Sequence, residues 1–183
     1  MATYISILRG INVSGHKLIK MDALRKSYES LGFRNVKSYL QSGNIVFDVD
    51  KNNLNQLEEE IIQLIEKDFG FQVPVIVLTI DKLNFIINNN PFLKDSSKEL
   101  SYLHVTFLSK KPISFNLEVI EEKKGEDEEI IISENVVYLY CPNGYGNTKL
   151  TNNLFESKLK VVATTRNWKT TNELLILAQQ ISK

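Results

Sequence analysis

The chain has 183 residues, 43% of them hydrophobic and 24% charged, with 22 Lys/Arg balancing 22 Asp/Glu. These proportions belong to a folded globular protein of one large or two small domains; they exclude a disordered chain and argue against a strongly basic nucleic-acid-binding surface. No window approaches the roughly 20 apolar residues that span a bilayer, no basic leader opens the chain, and the single Cys141 rules out an internal disulfide framework. The expectation is a cytoplasmic protein without membrane association.

Residues 4–9 read as a short strand. Met21, Leu24, Tyr28 and Leu31 then recur at helical spacing, with Gly32 as a stop. Residues 36–41 and 45–49 are strand-like, and Ser42-Gly43 between them signals a hairpin. Leu54, Leu57, Ile61, Leu64 and Ile65 form a second helical stripe closed by Gly70, and residues 73–79 return as a strand. Strand, helix, strand, strand, helix, strand is the order of the split βαβ, ferredoxin-like fold.

The order then repeats. Residues 81–87 read as a helical linker ended by the Asn-rich turn at 88–91, followed by a strand at 103–108 and a short helix at 114–122. A hairpin over 129–132 and 136–140 turns at Ser133-Glu134-Asn135. A helix at 151–158, a very short strand at 161–163 and an amphipathic helix at 168–181 close the chain. Thr170 and Glu173 have capping-box spacing, which allows that last helix to begin a turn later. The two hairpins resemble each other, Gln41-Ser42-Gly43-Asn44-Ile45-Val46-Phe47 beside Ile132-Ser133-Glu134-Asn135-Val136-Val137-Tyr138, a weak internal repeat. The predicted fold class is α+β, two ferredoxin-like (split βαβ) subdomains packed together, 1–80 and 81–183.

Charge is uneven beneath the zero net value. Residues 1–49 hold seven basic against three acidic side chains, and residues 149–183 six against two; residues 50–148 hold nine against 17. The acidic run at 121–129 reads as solvated surface.

Several chemistries can be set aside. His16, His104 and Cys141 show no zinc spacing with one another or with carboxylates, so no metal or other cofactor is expected. Cys141, just before Pro142, has no adjoining base to lower its pKa and reads as a small buried residue. Asn143-Gly144-Tyr145-Gly146-Asn147-Thr148-Lys149 has the ingredients of a phosphate loop without the Walker spacing. Phe47 stands without the aromatic-basic pattern of RNA-binding sheets, which again argues against nucleic acid.

What remains are four segments richer in Gly, Asn, Arg and hydroxyls than turns require: residues 9–15, 41–44, 143–149 and 164–168. In a split βαβ sheet the first strand ends where the third begins, which brings Arg9 and Asn12 beside Gln41, Ser42 and Asn44. In the second half the same rule brings Asn147 and Lys149 towards Thr165, Arg166 and Asn167. Each group joins a cation to amides ahead of a helix N-terminus, a suitable setting for an anion. Turn geometry, helix capping and ties between the halves are the structural alternative for the same residues, and Trp168 is either a core anchor or a stacking platform.

At these residues the chain resembles a family. Leu8-Arg9-Gly10-Ile11-Asn12-Val13, Tyr39-Leu40-Gln41-Ser42-Gly43-Asn44-Ile45-Val46-Phe47, Thr148-Lys149-Leu150 and Ala163-Thr164-Thr165-Arg166-Asn167-Trp168 are similar to signature segments of the domain of unknown function 1697 family, in order along the chain. Ser14 stands where that family often has a second glycine. The resemblance implies a bacterial-type protein of two ferredoxin-like subdomains and carries no catalytic residue with it. The functional expectation is therefore a binding protein for a small anionic ligand, a nucleotide or phosphorylated metabolite, at the polar loops. A self-associating or protein-interaction module, and an enzyme using the same loops, are the alternatives.

Overall fold

A computed structural model describes residues 1–51 and 53–182. The chain is α+β. Its elements run β1 (Ala2–Leu8), α1 (Met21–Ser30), β2 (Arg34–Tyr39), β3 (Asn44–Val49), α2 (Leu54–Phe69), β4 (Val75–Thr79), α3 (Ile80–Asn88), β5 (Leu103–Leu108), α4 (Leu117–Glu121), β6 (Glu129–Ser133), β7 (Val136–Tyr140), α5 (Asn152–Leu159), β8 (Ala163–Asn167) and α6 (Trp168–Ile181). Two four-stranded antiparallel sheets form, ordered β2-β3-β1-β4 and β6-β7-β5-β8. Both have the same wiring, βαββαβ. By Cα proximity the chain divides into Met1–Phe85 with Asn172–Lys183, and Ile86–Thr171. The division thus falls inside α3 and α6, whereas the sequence reading placed it at 80/81 with the closing helix in the second half.

In the first unit, α1 and α2 lay their apolar stripes on one sheet face. Leu24, Tyr28, Leu57, Ile61 and Ile65 meet Tyr4, Leu8, Ile45 and Phe47, and all are buried. Phe33 stacks on Phe47 at 4.5 Å between ring centroids, and Tyr28 meets Phe47 edge-on at 5.6 Å. Asn53 starts α2 by accepting from the Gln56 N–H at 3.2 Å, and the helix ends at Gly70 in the left-handed region. The second unit repeats the plan with α4 and α5 over Leu108, Val137, Leu139 and Ala163, where Ile120, Phe155 and Leu159 close the core.

One predicted strand is longer than its composition suggests. Residues 161–163 were expected as a very short strand followed by a polar loop, but β8 runs Ala163–Asn167 and takes in Thr164, Thr165 and Arg166. Val105 pairs with Arg166 and Phe107 with Thr164, so the ladder with β5 supplies the bonds that a polar composition concealed. The closing helix runs Trp168–Ile181 as its apolar spacing places it, and does not begin a turn later, because the Asn167 side chain accepts from the Thr170 N–H at 2.8 Å and caps it there. Among the described residues no helix is long and apolar enough to cross a membrane.

Candidate functional site

The first group of candidate residues converges as the topology requires. Ile7 pairs with Asn44, and the Leu8 N–H donates to the Gly43 carbonyl at 2.8 Å, which sets the end of β1 beside the start of β3. Most of the amide chemistry there builds the loop. Asn12, at φ +54°, donates through Nδ2 to the carbonyls of Ile19 (3.0 Å) and Gln41 (2.8 Å), while its Oδ1 accepts from the Ile19 N–H at 2.8 Å. Asn44 is fully buried and donates to the Tyr39 carbonyl (3.0 Å) and Ser42 Oγ (2.8 Å). Arg9 is half-buried, its N–H bonded to the Pro74 carbonyl at 2.9 Å, and Gln41 is exposed.

The second group divides. Thr165, Arg166 and Asn167 are strand residues. Thr165 Oγ1 donates to Asn152 Oδ1 at 2.7 Å and lies 2.7 Å from Thr106 Oγ1. Arg166 is buried, and Nη1 donates to Thr164 Oγ1 (3.0 Å) and the Thr165 carbonyl (2.9 Å); burial pushes its guanidinium down to about 10. Asn167 caps α6, and Thr151 caps α5 by accepting from the Leu154 N–H at 3.2 Å. These side chains thus occupy donors that the sequence reading left open to an anion. Trp168 is buried. His104 stacks on Tyr145 with centroids 4.8 Å apart, and its burial lowers the imidazole pKa.

Asn147 and Lys149 line a different feature, a hollow of about 210 Å³ shared with Lys123, Lys124, Asn143 and Glu128. Its back wall is a satisfied carboxylate. Glu128 is buried, and its Oε2 accepts from the Gly125 N–H at 2.7 Å and the Thr148 hydroxyl at 2.9 Å. Cys141 lies behind the same groups. Burial first, then the Glu128 charge, pushes its thiol up to about 12 against the lowering pull of a Thr148 hydrogen bond. Among the described residues no carboxylate pairs with Lys123, Lys124 or Lys149, although Lys51, Lys98 and Lys111 each bind a glutamate. Glu122 also lines the hollow, so three lysines against two glutamates leave one net positive charge.

Sequence reasoning missed Lys123, Lys124 and Glu128 because an acidic run reads as solvated surface. The usable signal was Lys-Lys-Gly inside that run, a cationic turn interrupting carboxylates. A larger hollow of about 440 Å³ in the first unit, bordered by Thr3, Asn35 and Asp48, contains no Lys or Arg among its described lining residues and none of the candidates. Its Asp48 Oδ2 accepts from Asn35 Nδ2 at 2.7 Å.

The family model for the protein of unknown function DUF1697 matches residues 1–138, and the chain belongs to that family. Among solved structures, the conserved bacterial protein SP0830 of Streptococcus pneumoniae is similar in fold, with a TM-score of 0.72 at 22% identity; the match covers 97% of this chain and 98% of that one. Among curated proteins none matches the chain.

Proposed function

We propose that this member of the family is a cytoplasmic binding protein for a small phosphate-bearing metabolite, held in the second unit's hollow by Lys149, Lys123 and Lys124 with the amides of Asn143 and Asn147. The observation that carries the reading is three lysines without carboxylate partners lining one concave space. Unpaired ammonium groups beside amide donors can give an anion several charge-assisted hydrogen bonds, each worth about 1.5–3 kcal/mol. Size narrows the ligand. At about 210 Å³ the hollow is smaller than the roughly 300–1,000 Å³ of drug-sized sites, which suits a phosphoryl group with a few further atoms and leaves no room to enclose a whole nucleotide. Binding is favoured over turnover because the nearby thiol, raised to about 12, is protonated at neutral pH and fully buried.

Thermal unfolding in inorganic phosphate and in a three-carbon phosphate ester, against chloride at equal ionic strength, tests the reading. Saturation at a hundredfold excess over Kd stabilises a binding protein by about 2.7 kcal/mol. Lys149→Ala is expected to weaken the effect at least about tenfold in Kd, the loss of one charge-assisted contact. Equal stabilisation by chloride, or an unchanged response in Lys149→Ala, would defeat it.

A further inference from the structure

The two sheets expose four edge strands, and three of them are guarded. Arg9 N–H bonds to the Pro74 carbonyl, so by antiparallel alternation Val77 directs its N–H away from β1; Glu58 Oε1 of α2 accepts that N–H at 2.8 Å. On β8, likewise, the Ser109 N–H bonds to the Val162 carbonyl, and the outward N–H of Ala163 meets Glu156 Oε1 of α5 at 3.1 Å. Edge β2 is broken by a bulge between Arg34 and Lys37, with Asn35 at φ +51°, and both of those cationic residues are exposed. A glutamate cap, a bulge and edge charges are the devices by which natural sheets prevent unwanted pairing.

Edge β6 has neither a glutamate cap nor a bulge, and its one charged residue, Glu129, is paired with Lys98. The Cys141 N–H bonds to the Tyr102 carbonyl and the Leu108 N–H to the Asn135 carbonyl, so odd-numbered residues of β7 bond to β5 and even-numbered ones to β6. Through the β6–β7 register, Glu129, Ile131 and Ser133 face β7, while Ile130 and Ile132 turn their N–H and C=O groups outward. Among the described residues no group meets those four atoms. The strand is Glu-Ile-Ile-Ile-Ser, rich in β-branched residues and free of proline and bulges. An edge of this kind is a template for another strand.

We infer that β6 is a self-association edge on which a second copy of this chain adds its own β6 antiparallel, continuing the sheet through a two-fold axis at Ile131. The strand is self-complementary in that register. Ile130 of each copy faces Ile132 of the other, so all four outward groups on each strand are paired. Glu129 faces Ser133, so no like charges meet within the strand. The flanking Glu134 is already balanced by Lys111 at 3.1 Å. Five residues form a small interface, so the dimer is weak and concentration-dependent.

Sedimentation velocity across a concentration series, with residue-resolved amide exchange of the full chain at both ends of that series, tests the inference. A reversible dimer is expected, with the Ile130 and Ile132 amides slowed at least tenfold at high concentration. Ile132→Pro deletes an outward N–H without removing a bond to β7, and is expected to raise the dissociation constant at least tenfold. A monomer throughout the series overturns the inference, as does a dimer in which those two amides exchange as fast as in the monomer. The exchange measurement decides the matter on the unmodified chain even where the proline variant does not fold.

Discussion

At Gly43 two constraints coincide. Its φ of +76° lies in the left-handed region, and a Cβ built there would sit 2.6 Å from Leu8 Cβ. Both neighbours are fixed, since the Gly43 carbonyl accepts from the Leu8 N–H at the end of β1. Gly10, at φ +72°, has nothing within 4 Å of such a Cβ. Gly43→Ala is therefore expected to lose about 2–4 kcal/mol, from conformational strain plus overpacking, against about 1 kcal/mol for Gly10→Ala from strain alone. Urea midpoints of the two variants check this, and equal losses would show that the close approach to Leu8 does not matter. The same residue scale explains why the candidate site was only partly legible. Asn12 and Asn44 were conspicuous as polar side chains, but an amide serves a ligand and a turn with the same atoms; only coordinates show Asn12 bonded to Ile19 and Gln41. Lys149 could be read from sequence as a loop cation, whereas its grouping with Lys123 and Lys124 depends on a fold-back across 25 residues that no local pattern encodes.

Edge protection is a property of elements, and it leaves a titration signature. Glu58 is pushed above the ordinary glutamate range by burial, against the lowering effect of its bond from the Val77 N–H. The folded chain thus holds that proton more tightly than the unfolded chain does. The resulting stabilisation is fully present below the unfolded value of about 4.3 and is lost as pH rises through the folded value. Glu60 has the opposite sign, since its hydrogen bond from Lys51 lowers its pKa. Glu58→Gln keeps an acceptor for Val77 and removes the ionisation. The variant is expected to be the more stable at pH 7 and to lose that advantage near pH 4, as read by denaturant unfolding at the two pH values; a constant difference would detach the effect from titration. Helices and hairpins were legible at this scale because their apolar spacing is set by burial on one face. Strand β8 was not, since Thr164-Thr165-Arg166-Asn167 carries the composition of a loop and owes its extended form to pairing with β5, some 60 residues earlier. Nor were the glutamate caps on β4 and β8, which depend on where α2 and α5 lie along an edge.

For the whole molecule, the repeated βαββαβ order was readable because each half obeys the same hydrophobic periods, but the place where the chain divides was not. Linkers betray themselves by glycine, proline and polar runs, and here the chain passes from one unit to the other within α3 and again within α6. That connectivity has a consequence for unfolding. Helix formation is cooperative along a segment, so melting one unit removes support from helical turns that belong to the other. The first unit also depends on the chain's end, where Leu174, Ala178 and Ile181 of α6 are buried. A single transition is therefore expected for the two units. Trp168, the only tryptophan and buried in the second unit, reports on that unit by fluorescence, while far-ultraviolet circular dichroism reports on both. Coincident denaturation curves from the two probes are the expected outcome. A biphasic dichroism curve, with the fluorescence following only one phase, would show that the shared helices do not couple the units and that each sheet stands on its own core.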